Sequence, residues 1–527
     1  MIEAIRIENL RSLKDTGFVD LKKINILVGA NSSGKSTFIR SFPLLSQSIK
    51  KNLQGPISWF DNSLVDFGDY KIAKNKFADE SDTIRFSFRI VKPAFSIGYK
   101  FFGTMIDLDF SHFEIRDSFV VRLSFSNDAE GTFIDEVEIS FPGTIFKYGI
   151  GKRNDTVSFY IDGEKQAISS QLLWYQSRDS SLIPRVYYSY KNTNRLVSID
   201  EILYKNIESS LNRIADKKFS SGNKIAQIIE NWSSDKSSFL TYLRTQSPFA
   251  SIQKKASGWS ETNEDFLNLH KSVGAFYSFL AYNISDIELE FFYRDSSYIA
   301  PVRAEAIRYY RNEDLRVDDI DAYGKNLAEF LMSLTNTQKK AFEEFCKSLL
   351  GVKVSAKREA GHNSIVLEDG NEEYNLMDVG FGYSQLLPII TKLWYCQSNE
   401  QDTRYRYFYA DHMNRTILIE QPELHLHPAL QAKIADAMIQ LVNIKVRPDD
   451  SVNRYKTPTR MIIETHSQAL INRFGRRIRE GKLSREDVNI LLFQKDEKGQ
   501  NSIIRQRSFN EEGQIVDWPY GFFDAED

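Results

Sequence analysis

Hydrophobic positions change their rhythm twice along this chain. Near the start, Ile5-Arg6-Ile7 alternates as a strand does, and Ile24-Asn25-Ile26-Leu27-Val28 is a short apolar run of buried-strand type. Phe38-Ile39-Arg40 then opens a segment of helical spacing that continues through Leu44 and Leu45. From position 84 the period becomes two: Ile84, Phe86, Phe88 and Ile90; Val121, Leu123 and Phe125; Val137, Ile139 and Phe141; Val157, Phe159 and Ile161. This alternation predicts half-buried antiparallel strands, and Asp162-Gly163 is placed to turn a hairpin. From about Ser198 the period lengthens to that of helices, through Leu203, Ile207, Leu211 and Ile214, then Ile225, Ile228 and Ile229, then Phe276, Phe279 and Leu280.

Ordered structure resumes with Ile287, Leu289 and Phe291, followed by Tyr298-Ile299-Ala300-Pro301-Val302-Arg303. The spacing predicts a helix from Thr337 to Leu350, closed by Gly351. A hairpin follows, with Ser364 to Glu368 and Tyr374 to Leu376 joined by an Asp369-Gly370 turn. Two further apolar runs, Thr416 to Glu420 and Arg460 to Glu464, read as buried strands.

Chemistry enters between the second strand and the first helix. Gly29-Ala30-Asn31-Ser32-Ser33-Gly34-Lys35-Ser36, followed by Thr37, is Gly, four residues, Gly-Lys-Ser in a strand–loop–helix context. That is the pattern of a phosphate-binding P-loop. Its glycines let successive N–H groups turn toward phosphate oxygens, Lys35 supplies a charge for the β- and γ-phosphates, and Ser36 offers a hydroxyl to Mg²⁺. A nucleoside triphosphate is the expected ligand. Arg11 and Lys14, in the loop after the first strand, are either neighbours of that nucleotide or solvated charges. The aromatic, glycine-punctuated stretch from Gln54 to Asp69 reads as a loop returning to it.

Three later segments add to this site. Glu420 ends one buried strand, where P-loop enzymes place an acid that holds Mg²⁺ through water, and Glu423 follows as a second acid able to orient the attacking water. His466 ends the other, where an imidazole can reach a γ-phosphate. Asp378-Val379-Gly380-Phe381-Gly382-Tyr383-Ser384-Gln385 is a glycine-rich turn leading into a helix, a second phosphate-binding surface.

Composition narrows the class. The 527 residues exceed one ordinary core, so two or three regions are expected, and 42% hydrophobic content with 13% aromatics supports globular packing. No apolar run is long enough for a membrane span and the N-terminus lacks a signal-peptide shape, so a cytoplasmic location without membrane contact is expected. Two cysteines, Cys346 and Cys396, exclude a disulfide scaffold. A net charge of −3 means that any nucleic-acid contact must come from a local patch, for which the basic run Arg473, Arg476, Arg477, Arg479, Lys482 and Arg485 is the candidate; a solvated face is the other reading. His425 and His427, with Glu423 and Asp411 or His412, can be drawn as a zinc set, although the segment has another explanation.

The order of P-loop, inserted region, glycine-rich turn, acidic strand and histidine strand resembles that of the ABC/SMC-type ATPases. Within them the chain is similar to the bacterial "AAA family" proteins related to the ATPase half of OLD-family nucleases, in the subgroup reading Glu-Gln-Pro-Glu-Leu-His-Leu-His-Pro at 420–428 and Asp-Trp-Pro-Tyr-Gly-Phe-Phe-Asp at 517–524. The resemblance covers roughly residues 1–70 and 290–527. It implies an α/β fold: an ABC-type ATPase head with a mixed sheet flanked by helices, formed by 1–80 and 286–527, and a β-then-α insertion at 81–285. It also implies ATP and Mg²⁺ as cofactors. Gly29 to Thr37 take the role of Walker A, Glu420 that of the Walker B acid, Gly380, Gly382 and Ser384 that of the signature motif, Leu424 to Pro428 that of the D-loop, and His466 that of the switch histidine. Such heads pair around ATP, so one P-loop and one signature turn per chain imply a homodimer or a higher assembly.

Two departures shape the expected function. Gln421 stands where these ATPases commonly carry a catalytic glutamate, and an amide cannot accept a proton from water. Either Glu423 takes the task or hydrolysis is slow. The turn at 380–385 also lacks the usual Ser-Gly-Gly. After His466 the residues read as two strands around a turn, without the acid cluster of a nuclease domain. The expected function is an ATPase of low turnover that senses or regulates for a separate nuclease or toxin, by resemblance in bacterial defence against phage. The alternative is an ATPase of DNA repair or chromosome maintenance, against which no long heptad-bearing arm is visible.

Overall fold

The computed structural model describes residues 1–51, 53, 55–91, 118–151, 156–175, 181–189, 196–215, 222–311, 317–359, 361–398, 415–443 and 459–518. Asp411, His412, Gln54 and the segment 519–524, all singled out above, lie outside the described residues. The chain forms two compact units. One comprises Met1–Leu10, Gln47–Ser58 and Asp69–Arg294; the other comprises Arg11–Ser46, Trp59–Gly68 and Asp295–Asp527.

The second unit carries the P-loop. Its six-stranded sheet runs in the order Ser296–Ile299, Arg415–Glu420, Thr459–Glu464, Ile24–Gly29, Val488–Lys495, Ser502–Arg507. The first five strands are parallel and the last is antiparallel. The four inner strands are buried through most of their length on both faces, which is why the sequence shows apolar runs there instead of alternation. Alternate residues serve opposite layers. Ile26, Val28, Ile417, Ile419, Ile463 and Leu492 share a core with helices Asn336–Leu350, Phe381–Ser398, Pro428–Val442 and Gln468–Arg479. On the P-loop helix, Lys35–Lys50, Phe38 packs edge-on against Phe493, with ring centroids 5.7 Å apart. The register aligns Glu420 with Glu464, and Glu464 with Leu27, so both acids and the P-loop emerge at the C-terminal edge of the sheet.

Local signals hold where they are self-contained. The helix expected to Leu350 spans Asn336–Leu350; Thr335 and Gln338 form a reciprocal capping box, and Gly351 closes it at φ +90°. The hairpin forms between His362–Asp369 and Glu372–Asn375. Ile287, Leu289 and Phe291, by contrast, lie in the last turns of a helix spanning Glu264–Arg294.

The first unit contains an antiparallel sheet in the order Leu196–Ser198, Arg185–Ser189, Leu172–Tyr175, Thr156–Ile161, Thr144–Gly151, Gly131–Phe141, Phe119–Asp128, Ile84–Ile90, Ile2–Leu10. Asp162 and Gly163 take positive φ at the turn between Ile161 and Glu164, as the Asp-Gly pair predicts. The long helix Glu264–Arg294 covers this sheet: Tyr282 packs on Tyr148 at 4.9 Å between centroids, and Tyr148 and Ser278 share a buried hydrogen bond of 2.9 Å. A Cβ on Gly274 of this helix would sit 2.9 Å from the Trp232 ring, so only glycine permits that approach.

His270 on the same helix is buried among Trp232, Phe239 and Phe266, and burial pushes its pKa down to about 4. The unfolded chain therefore takes up a proton near pH 6.5 that the folded chain refuses until about pH 4, and stability is lost as pH falls between them. The loss amounts to about 3 kcal/mol from this group. Buried Asp286, raised to about 6, gains a proton on folding and works the other way. Urea unfolding of the parent and of His270→Gln at pH 7.5 and 4.5 isolates the histidine: the parent should lose more stability on acidification than the variant does.

Candidate functional site

The loop Gly29 to Gly34 is shaped by close packing. A Cβ on Gly29 would lie 2.3 Å from the Phe493 carbonyl oxygen. Gly34 has φ +103°, and a Cβ there would lie 2.4 Å from Ser502 Oγ and 2.9 Å from Ser12 Oγ. Asn31 and Ser32 are exposed at the loop tip, Ser32 with φ +60°, while Ser33 is buried and its hydroxyl has no hydrogen-bond partner. Lys35 is 3% exposed and donates through Nζ to the Gly29 and Ala30 carbonyls, at 3.0 and 2.9 Å. Burial lowers its pKa, with Glu464 and Glu423 opposing. Ser36 and Thr37 follow on the first helical turn.

The acids around this loop are deployed unequally. Glu420 accepts from Arg40 at both oxygens, 2.8 Å each, and from the Tyr298 hydroxyl at 2.6 Å. Arg40 lies one helical turn beyond Ser36, and the Glu420 pairing raises its pKa. Glu464 accepts from the Ser36 hydroxyl at 2.9 Å and lies 4.0 Å from Lys35 Nζ; its other oxygen is buried without a partner. Burial and then the adjacent Glu420 push its pKa up to about 7, against Ser36 and Lys35. Glu423 clasps the end of the neighbouring strand, accepting from Thr465 Oγ1 at 2.8 Å and from the His466 backbone N–H at 2.6 Å. Its burial raises its pKa. His466 reaches solvent, and partial desolvation with the Lys35 charge lowers its pKa, so its ring is neutral near pH 7.

Gln421 sits in a tight turn at φ +44°, a sparsely populated region for a side-chain-bearing residue. Its N–H donates to the Glu464 carbonyl at 2.8 Å, and its carbonyl accepts from Arg303 at 3.3 Å. Arg303 is 2% exposed, also donates to the Glu420 carbonyl at 3.0 Å, and has Nε and Nη1 without partners; burial pulls its pKa down to about 10. Gln385 of the glycine-rich turn exchanges two hydrogen bonds with the Arg303 backbone, at 3.1 and 3.2 Å. Arg303 thus ties that turn to the Glu420–Gln421 corner.

In the turn itself, Gly380 has φ +95° and Gly382 faces the His425 carbonyl, which a Cβ would approach to 3.3 Å. Ser384 is buried and donates to the Phe381 carbonyl at 2.7 Å, so its hydroxyl faces its own helix. Phe381 stays exposed against the His425 ring, centroids 4.8 Å apart. His427 caps the next helix, its Nδ1 accepting from Ala429 N–H at 3.3 Å. Among the described residues no group of three or more His, Cys, Asp or Glu is placed to hold a metal ion. Arg11 lies over the Phe67 ring at 4.2 Å and donates to the Asp66 carbonyl at 2.9 Å, so the loop before the P-loop strand does meet the aromatic stretch.

The basic run is largely neutralised. Arg473 and Arg477 both pair with Asp436, Arg476 and Lys482 with Glu480, and Arg485 with Glu486 and Glu511. A cavity of about 820 Å³ opens there, lined by Lys433, Asp436, Arg473, Arg477 and Lys482 and by no P-loop residue.

A family model described as "AAA ATPase domain" matches residues 1–471. The chain belongs to this AAA ATPase domain family. It binds ATP and is an ATPase, converting ATP and water to ADP and phosphate. A second model, "Protein of unknown function (DUF3696)", matches residues 483–527 of this ATPase. No curated protein matches it. Among solved structures it is similar to an Smc head bound to the C-winged helix domain of ScpA, at 10% identity over 96% of this chain and 98% of that one, TM-score 0.35. It is also similar to an Smc head domain with an extended coiled coil bound to the C-terminal domain of ScpA from Pyrococcus furiosus, at 12% identity over 96% of both chains, TM-score 0.33. A third is the SMC head domain from Thermotoga maritima, at 7% identity over 96% and 98%, TM-score 0.32. With TM-scores this low, the α/β fold stands on its own strand order and P-loop. No helix among the described residues is long and apolar enough to cross a membrane.

The glycine cradle and the unpartnered Ser33 and Glu464 oxygens fit a triphosphate with its Mg²⁺. Sequence reasoning assigned no role to Arg40, Tyr298, Arg303 or Glu464. A usable signal existed for Glu464, a carboxylate closing a buried-type apolar run two residues before His466.

Proposed function

We propose that this ATPase works as an ATP-dependent clamp: two copies close around ATP and Mg²⁺, hydrolysis is slow, and the closed state regulates a separate effector, a nuclease or toxin. The observation that carries this reading is how the acids are used. Glu420 is committed to Arg40 and Tyr298, Glu423 to Thr465 and His466, and the position after Glu420 is the amide Gln421. Proton acceptance from the attacking water is thereby weakened, while phosphate binding is not. In this site the P-loop N–H groups and Lys35 hold the phosphates, Ser36 faces the metal, and His466, as a neutral ring, faces the γ-phosphate. Bound Mg²⁺ would neutralise phosphate charge and polarise the transferred group.

Pairing is supported by the surface beside the glycine-rich turn. Of the thirteen exposed large hydrophobic side chains among the described residues, six lie in two short segments: Val302, Ile307 and Tyr309, and Tyr374, Met377 and Phe381. Arg308 joins these segments through two hydrogen bonds to Asp378, and Asn375 donates to the Arg308 carbonyl. An apolar patch around a phosphate-binding turn is suited to closing on a second copy. The relation to OLD-type ATPases and a role in anti-phage defence follow from the resemblance in the sequence. The test is light scattering with and without ATP and Mg²⁺. A doubling of mass with ATP is expected, reduced in Gly382→Trp; a monomer at high concentration in both conditions sinks the clamp. Double-stranded DNA added to the same assay separates the alternative: strong stimulation of hydrolysis by DNA would favour a repair or chromosome-maintenance ATPase.

A further inference from the structure

Two carboxylates end adjacent parallel strands in register, Glu420 and Glu464, and only one of them is positioned to serve a metal at Ser36. Glu464 is on the strand directly beside the P-loop strand, aligned with Leu27; Glu420 is one strand further away. Ser36 donates its hydroxyl to Glu464 at 2.9 Å, and Lys35 Nζ lies 4.0 Å from the same oxygen. The second oxygen of Glu464 is buried and unpartnered, at a place where an unsatisfied carboxylate oxygen is costly. A divalent cation is the partner that suits such an oxygen beside a serine hydroxyl and a triphosphate. Glu420 has no such vacancy, since three donors already converge on it: Arg40 Nε, Arg40 Nη2 and the Tyr298 hydroxyl. Drawing Glu420 to a metal would unpair Arg40 and leave Tyr298 buried without an acceptor.

We propose that Glu464, with the Ser36 hydroxyl, is the acid that faces the nucleotide's Mg²⁺, and that Glu420 is the anchor that holds Arg40 and Tyr298. The proposal rests on the reading of the P-loop as the ATP site. It divides one expected role between two residues: the acid at the end of the Arg415–Glu420 strand becomes structural, and the acid two positions before His466 becomes the metal-facing group. The clasp from Glu423 to Thr465 and His466 then acts on the segment that immediately follows the metal-facing acid.

The test is the gain in ATP affinity on adding Mg²⁺, measured by calorimetry on the full chain in EDTA and in Mg²⁺. Mn²⁺ in place of Mg²⁺ gives an independent reading, since its electron paramagnetic resonance signal broadens when protein ligands join the nucleotide. Parent protein should gain on the order of 10- to 100-fold from the metal, the range expected for a charged ligand pair. Glu464→Gln should lose that gain while keeping its affinity in EDTA. Glu420→Gln should keep the gain and instead lower the unfolding midpoint. The reverse pattern, with the gain lost in Glu420→Gln and intact in Glu464→Gln, overturns the proposal. If Glu464→Gln does not fold, Glu464→Asp keeps the charge but withdraws it by one methylene, and an unchanged metal gain in that variant also overturns it. A parent that binds no ATP in either condition defeats the P-loop reading itself, which is distinct from a parent that binds and a Glu464→Gln that responds normally to the metal.

Discussion

Lys35→Ala should bind ATP on the order of a hundred- to a thousandfold more weakly than the parent, because it removes a buried charge from the phosphate site. The ammonium is 3% exposed and already held inside the loop by the Gly29 and Ala30 carbonyls. Moving from those carbonyls to phosphate oxygens exchanges neutral acceptors for anionic ones, which strengthens each bond the ammonium makes. Fold should survive, because the side chain contacts a loop and the strands on either side of Ile24–Gly29 pair through their backbones. One cost is foreseeable: Glu464 loses the cation 4.0 Å away and is left with the Ser36 hydroxyl. Circular dichroism and unfolding midpoints should therefore show a folded, slightly altered protein. Calorimetry decides the matter, and ATP binding within threefold of the parent would refute the phosphate role of this lysine.

Gln421→Glu should raise steady-state phosphate release on the order of a hundredfold, the lower range of what a positioned general base contributes. The backbone at this position is fixed independently of the side chain: its N–H is taken by the Glu464 carbonyl and its carbonyl by Arg303. A carboxylate therefore enters the same turn with both backbone hydrogen bonds kept. Faster turnover would shorten the closed state, so the ATP-dependent dimer should be harder to detect in this variant. Glu423→Gln provides the comparison. It weakens the clasp on Thr465 and His466, and should remove a low basal rate while leaving ATP-dependent assembly intact. A parent enzyme already as fast as Gln421→Glu, and unaffected by Glu423→Gln, would sink the slow-clamp reading and leave His466 as the next group to examine.

The amino-acid sequence by itself determined whatever is local. The P-loop is legible because its chemistry is backbone curvature, one lysine and one serine within eight consecutive residues, and those positions need no distant partner to define them. The Thr335 capping box with Gly351, and the Asp162-Gly163 turn, are likewise set by neighbours in the chain. Alternation identified the strands at 84–90, 119–128, 131–141 and 156–161. It did not separate out Thr144–Gly151, where glycines interrupt the pattern, and it gave Ile287 to Phe291 no element type, since a spacing of two over five residues does not mark the end of a long helix.

Tertiary structure alone decided how the acids are shared. Glu420 and Glu464 look alike in sequence, each a glutamate closing an apolar run, and strand register places them side by side. Which one faces Ser36 depends on strand order, and which one is neutralised depends on Arg40 and Tyr298, brought in from other elements. The same holds for Arg473 and Arg477 of the basic run, whose shared partner Asp436 lies 37 and 41 residues away on another helix. A charge's partner is set by distance in space, and these pairs are separated along the chain by up to hundreds of residues, so periodicity and spacing carry no record of them.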